Sequence, residues 1–120
     1  MIIYLIGQRA GVKEYNRGAF VKQAEELRKL GHIVLSPEEM DRTEGLDVEA
    51  LPNDWDWNKW PEEFSKPTKI DRSIACVQRA DALFMLNGWF KSRGAIAEYH
   101  IAKWYEKPCY LFIKEVPKKN

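Results

Sequence analysis

The chain has 120 residues, 45% of them hydrophobic and 31% charged, and a net charge of +1. That length makes one domain (1–120) with enough interior to fold without staples, and the near-neutral balance gives no electrostatic case for a nucleic-acid partner. No apolar run approaches about 20 residues, so no membrane span or membrane partner is expected.

"MIIYLIG" at the start lacks the basic residues and the small-residue cleavage site of a secretory signal. Within it, "IIYLI" (residues 2–6) is a short, partly β-branched run ended by Gly7, the pattern of a parallel strand buried on both faces. "YNRGAFVKQAEELRKLG" follows, with Phe20, Ala24, Leu27 and Leu30 at helical spacing and Gly31 as the stop. "HIVLSP" reads as a second strand closed by Pro37. Residues 38–68 show no clear period and hold "DWDWNKWPEEF", with Trp55, Trp57 and Trp60 among the chain's five tryptophans. A connection that long is expected to be a lid, a binding loop, an assembly surface or a satellite core folded onto the body. "IDRSIACVQRAD" predicts a helix with Ile70, Ile74 and Val77 along one side. "ALFMLNG" predicts a third strand, residues 93–106 a further helix, and "CYLFI" a fourth strand. Strands alternating with helices imply an α/β fold: one Rossmann-like parallel sheet in the flavodoxin-like order 2-1-3-4, with room for a fifth strand, flanked by helices. Cys76 and Cys109 fall inside these patterns without metal or redox spacing. Reduced thiols, a cytoplasmic setting, and no metal or cofactor are the corresponding expectation.

In such sheets ligands bind beyond the carboxyl ends of the strands, where the strand order reverses. Here that point falls between strands one and three, at "GQRAG" (Gly7, Gln8, Arg9, Gly11) and "NGWFKSRG" (Asn87, Gly88, Trp89, Ser92, Gly94). Each segment leads toward a helix whose start exposes N–H groups suited to an anion, and Arg9 or Arg93 adds charge. The first segment is neither a full GxGxxG nor a P-loop, so dinucleotide or nucleoside triphosphate binding is not supported. Ser92 is a candidate N-cap, and Gly94, inside the first turn, costs about 1 kcal/mol against Ala unless something approaches closely. Glu98 shares a helical face with Ala95, Ile101 and Ala102. A charge on that face implies either a partner or a task.

"SRGAIAE", an S-x-G-x-x-x-E pattern, resembles the signature of the nucleoside 2-deoxyribosyltransferases and the 2′-deoxynucleoside 5′-monophosphate N-glycosidases. With "IYLIGQRAG", "GHIVLSP" and "ADALFMLNGWFKSRGAIAEYHIA" the whole chain resembles a branch of that superfamily often encoded by phages; residues 38–68 match least. The resemblance implies that Glu98 is a nucleophile attacking the anomeric carbon of a glycosyl group, a step a carboxylate can perform through a covalent glycosyl ester. It places Tyr4 beside Glu98 as a hydrogen-bond partner, although a core tyrosine has the same pattern. It implies that Ser92 and Gly94, with Gly7, Arg9 and Gly11, hold a 5′-phosphate, and that the chain forms homo-oligomers, with Trp55, Trp57 and Trp60 as lid or interface. Two departures matter. Gln8 stands where the superfamily has serine or proline. Ser73 stands where it has an aspartate that assists the leaving base, and a serine is no general acid near neutral pH. Three expectations follow: cleavage or exchange of an N-glycosidic bond in a nucleotide or nucleoside, binding of a nucleotide without catalysis, or an assembly or interaction module that uses the tryptophan loop.

Overall fold

The structure, a computed structural model, describes residues 1–61, 64 and 66–119; Glu62, Glu63 and Ser65 of the 38–68 stretch, and Asn120, lie outside the described residues. Strands β1 (Ile2–Ile6), β2 (Ile33–Leu35), β3 (Ala82–Met85) and β4 (Cys109–Tyr110) form one parallel sheet in the order β2-β1-β3-β4, as the alternating pattern required. Helices α1 (Arg17–Lys29), α2 (Pro37–Thr43), α3 (Lys66–Arg79) and α4 (Arg93–Trp104) flank it. No helix among the described residues is long and apolar enough to cross a membrane.

Successive β1 side chains point to opposite faces. Ile3 and Leu5 join Phe20, Ala24 and Leu27 of α1 and Phe84 of β3 in one core. Tyr4 and Ile6 join Val77 of α3, Leu83 and Met85 of β3, and Ala95 and Ala102 of α4 in the other. Both faces are covered, so "IIYLI" has no polar alternation to show. The central strand also determines which side of the sheet receives the hydroxyl of Tyr4: the side of α3 and α4.

Several sequence expectations change. Residues 38–68 are not irregular throughout: they contain most of α2, a 3-10 turn at Val48–Ala50 and the first turn of α3. Pro37 and Pro67 explain the misreading. Each looks like a breaker, yet proline is well tolerated in the first turn of a helix, where its missing N–H has no partner anyway. The expected side of α3 also turns. Val77 is fully buried, but Ile70 and Ile74 are 50% and 37% exposed, while Lys69 is buried. "CYLFI" pairs only over Cys109–Tyr110; Leu111 and Phe112 are exposed, and their N–H groups donate to the Glu115 carboxylate at 3.0 and 2.8 Å instead of to a neighbouring strand. No fifth strand occurs among the described residues. The first helix begins at Arg17, because Glu14, Tyr15 and Asn16 all adopt left-handed backbone, with φ of 56°, 51° and 62°.

Three consecutive left-handed non-glycine residues are costly and persist only where surrounding contacts over-determine them. Tyr15 supplies those contacts. Its buried ring anchors a satellite core with Leu46, Val48, Leu51, Trp57 and Phe64. Trp57 meets it edge-on at 5.3 Å, Trp60 stacks at 5.7 Å, and Trp55 Nε1 donates to its hydroxyl at 3.4 Å. That hydroxyl donates to the Lys59 carbonyl. The tryptophan-rich stretch is therefore folded onto the body. Truncating Trp57 to alanine should lower stability by about 2 kcal/mol, less than a fully buried aromatic because the ring is partly exposed. Urea unfolding checks this, and an unchanged midpoint would mean the cluster contributes nothing to the fold.

Candidate active site

Glu98 sits in the second turn of α4, with Ala95 and Ala102 of the same face fully buried and Ile101 packed at the core's edge. The helix is set by Ser92, whose Oγ accepts the Ala95 N–H at 3.1 Å, as its N-cap position predicts. Gly94 is the second residue of α4. A Cβ there would meet only Ser92 Oγ, at 3.8 Å, so nothing among the described residues requires the glycine. The N–H groups of Arg93 and Gly94 precede the first ladder bond of the helix and point away from it.

Glu98 is half-buried, and its Oε2 is sealed from solvent without a hydrogen-bond partner among the described residues. No cation forms an ion pair with it among those residues. A glutamate kept merely for stability would have such a partner. Burial raises its carboxyl from the usual 4.5 to about 7, and the hydroxyls of Tyr4 and Ser73 and the charge of Arg72 hold it below what burial alone would give. Tyr4 responds in the opposite sense: burial, then the nearby Glu98 charge, push its phenol well above 10. The structure thus brings together Glu98, Tyr4 and Ser73. Ser73, recognised in the sequence only as a departure, faces both of the others from α3.

The loop after β1 is committed elsewhere. A Cβ on Gly7 would meet Leu86 Cβ at 3.0 Å and the Phe20 ring at 3.3 Å, so close packing against the end of β3 accounts for this glycine. Gln8 bonds locally, its Nε2 donating to the Ala10 carbonyl at 3.3 Å and its carbonyl accepting from Asn16 at 3.0 Å. Gly11, at φ +84°, donates its N–H to the Trp57 carbonyl at 2.8 Å. Arg9 is buried: Nε donates to the Tyr15 carbonyl at 2.6 Å, Nη2 lies 3.0 Å from Asp41 Oδ2, and the guanidinium rests over the Phe20 ring at 5.2 Å. Among the described residues, Nη1 alone of its nitrogens lacks a partner. After β3, Asn87 is exposed, Gly88 takes φ +85°, and Trp89 packs on Tyr99 at 5.0 Å.

Sequence reasoning missed the charged knot centred on Asp41. This α2 carboxylate, 1% exposed, accepts from Lys69 Nζ at 3.0 Å and Arg72 Nη1 at 2.7 Å through Oδ1, and pairs with Arg9 through Oδ2. Glu44 adds contacts to Lys69 and Arg72. In "SPEEMDRTEG" Asp41 looks like any solvated acid of a polar segment, and only the fold reveals its partners. A cavity of about 350 Å³ opens beside Arg9 and Asp41, with Arg17, Glu38 and Arg42 on its walls. A separate apolar groove of about 400 Å³ runs between α3 and α4 past Ile74, Ile101, Trp104 and Tyr105. Neither is lined by Glu98. No cluster of metal-ligating side chains occurs among the described residues.

The fold and the glutamate define a Rossmann-like α/β protein whose half-buried Glu98 carboxyl, on the helix that follows the third strand, has no ion-pair partner among the described residues. Residues 1–110 match the family described as "Domain of unknown function (DUF4406)", and the chain belongs to that family. No curated protein matches the chain.

Proposed function

We propose that the protein cleaves or exchanges the N-glycosidic bond of a nucleoside 5′-monophosphate or nucleoside, with Glu98 as the nucleophile. The observation that carries this reading is the buried Glu98 Oε2, which has no hydrogen-bond or ion-pair partner among the described residues, on a carboxyl neighboured by the hydroxyls of Tyr4 and Ser73. Such a carboxylate is poorly solvated and reactive toward an electrophilic anomeric carbon. Tyr4, held protonated, orients it without competing for the role. Intact mass spectrometry tests the proposal: wild type incubated with a panel of ribo- and deoxyribonucleoside monophosphates should accumulate a sugar phosphate adduct on Glu98 and release free base.

The 5′-phosphate is assigned to the start of α4, where the Arg93 and Gly94 N–H groups are open, in preference to the β1 loop, whose Gly11 and Arg9 are engaged. Monophosphates should accordingly bind more tightly than nucleosides. Gly94→Ala should leave the fold intact or up to about 1 kcal/mol more stable, yet weaken monophosphate binding about tenfold by crowding the anion. Calorimetry with paired nucleoside and monophosphate checks both, and equal affinities would remove the phosphate assignment.

The second reading, nucleotide binding without turnover, is favoured by one observation: Ser73 places a hydroxyl, not a carboxyl, beside Glu98. Bound nucleotide with no adduct and no base release would select it. Self-association belongs to the same proposal. Its support lies in the exposed Ile70, Ile74, Trp104 and Tyr105 rather than in the three tryptophans gathered on Tyr15, and sedimentation checks it.

A further inference from the structure

We infer that the Glu98 site takes N-glycosides whose base departs without being protonated, namely nucleotides carrying a cationic base such as a pyridinium or an N7-alkylated purine. This rests on Glu98 acting as the nucleophile. When a neutral base leaves C1′, its nitrogen takes the bonding electrons and becomes an anion unless an acid delivers a proton. Glycosidases ordinarily supply that proton from a second carboxyl about 5–5.5 Å from the nucleophile.

The groups acting on Glu98 and its partner Tyr4 come from β1 and α3: the hydroxyls of Tyr4 and Ser73, the guanidinium of Arg72 and the thiol of Cys76. All of them hold their protons at neutral pH. Burial pushes the Tyr4 phenol well above 10 and the Cys76 thiol above 9, and an arginine or a serine hydroxyl does not titrate in this range. Asp71, close to Ser73 in sequence, is exposed, and the carboxylates of Asp41 and Glu44 are bound to Lys69 and Arg72. The described surroundings therefore furnish an attacking carboxylate and hydroxyls that orient it, while proton delivery to a leaving nitrogen is left to the substrate's own chemistry.

A cationic base meets that requirement. A Glu98 oxygen forms a bond to C1′ as the C1′–N bond breaks. The bonding pair moves onto the ring nitrogen, cancels the ring's positive charge, and the base leaves neutral. Water then opens the glycosyl ester, returning the Glu98 carboxylate, with one proton released to solvent. A planar cation also suits an aromatic surface, and Trp89 and Tyr99 pack on one another at the edge of the core that holds Tyr4.

The test compares nicotinamide mononucleotide and 7-methylguanosine 5′-monophosphate with AMP, GMP, CMP and UMP, in ribo and 2′-deoxyribo forms. Free base is read by chromatography and expressed as kcat/KM for wild type and Ser73→Asp. Wild type should prefer the cationic bases by at least about 100-fold, the usual worth of a general acid. Ser73→Asp should raise release of neutral bases by about 100-fold relative to cationic ones, closing the wild-type preference. The double substitution Glu62→Gln, Glu63→Gln, which removes the carboxyl side chains outside the described residues, should keep the wild-type preference. If wild type releases neutral bases at comparable kcat/KM, an acid is present and the inference fails while the glycosidase reading stands. If no base is released from any substrate and no adduct forms, both fail. Should Ser73→Asp not fold, the wild-type ratio alone decides.

Discussion

Glu98→Gln should abolish base release and, above neutral pH, make the protein more stable. The loss of turnover follows from the proposed covalent step, since an amide is no nucleophile at C1′. The gain in stability follows from linkage. The folded-state carboxyl titrates near 7, against an ordinary value of 4.5. Between those two values the folded protein binds more protons than the unfolded chain, so stability falls as pH rises from about 4.5 to about 7 and stays at its lowered level above. Below about 4.5 both states are protonated and the penalty vanishes. Removing the charge should therefore raise stability at pH 8 by roughly 1–3 kcal/mol, discounted for partial exposure, and change little at pH 4. Denaturant melts of both proteins at the two pH values check this. Activity runs in the opposite sense. Because attack requires the carboxylate, wild-type kcat/KM should climb through pH about 7. A Gln variant that keeps turnover, or loses stability at pH 8, would make Glu98 a structural residue.

Asp41→Ala should be the most destabilising single substitution outside the apolar cores. Three cations, Arg9, Lys69 and Arg72, converge on this one buried carboxylate. Deleting the central anion strands them with one another and with Glu44, and breaking a buried pair by removing one partner costs about 3–5 kcal/mol. That is a large share of the roughly 5–15 kcal/mol available to a domain of this size. Asp41→Asn should cost nearly as much, because shape without charge leaves the repulsion in place. The loss should be read from the urea midpoint at pH 7. It should be accompanied by altered tryptophan emission, since α2 leads directly into the satellite core around Tyr15. A change within about 0.5 kcal/mol, the range of an ordinary surface substitution, would show that water or rearrangement satisfies the three cations.

The sequence made the sheet and its order legible because every strand but the last is a hydrophobic run bounded by Gly or Pro. The local geometry of α4 was legible for a similar reason. Ser92 as cap, Gly94 within the first turn and Glu98 on an apolar face are local facts, tied to one another by helix geometry. The contacts of the β1 loop were not legible because occupancy is not local. Gly7 answers to Leu86, and Gly11 and Arg9 answer to Trp57 and Asp41, residues some 30 to 80 positions away. Nothing in "GQRAG" distinguishes an N–H group open to a ligand from one already bonded.

By itself, then, the sequence determined the periods: where the strands and three of the four helices fall, which helix carries a glutamate on its apolar face, and that one parallel sheet holds them together. These depend on spacing along the chain. The tertiary structure alone decided partnership. It turned Tyr4 rather than Ile3 toward α4, set Ser73 opposite Glu98, folded the tryptophans onto Tyr15, and gathered three cations around Asp41. Burial and charge pairing are properties of the packed chain. A carboxylate in a polar-looking run is the same in sequence whether water or three cations surround it, and only folding removes the water.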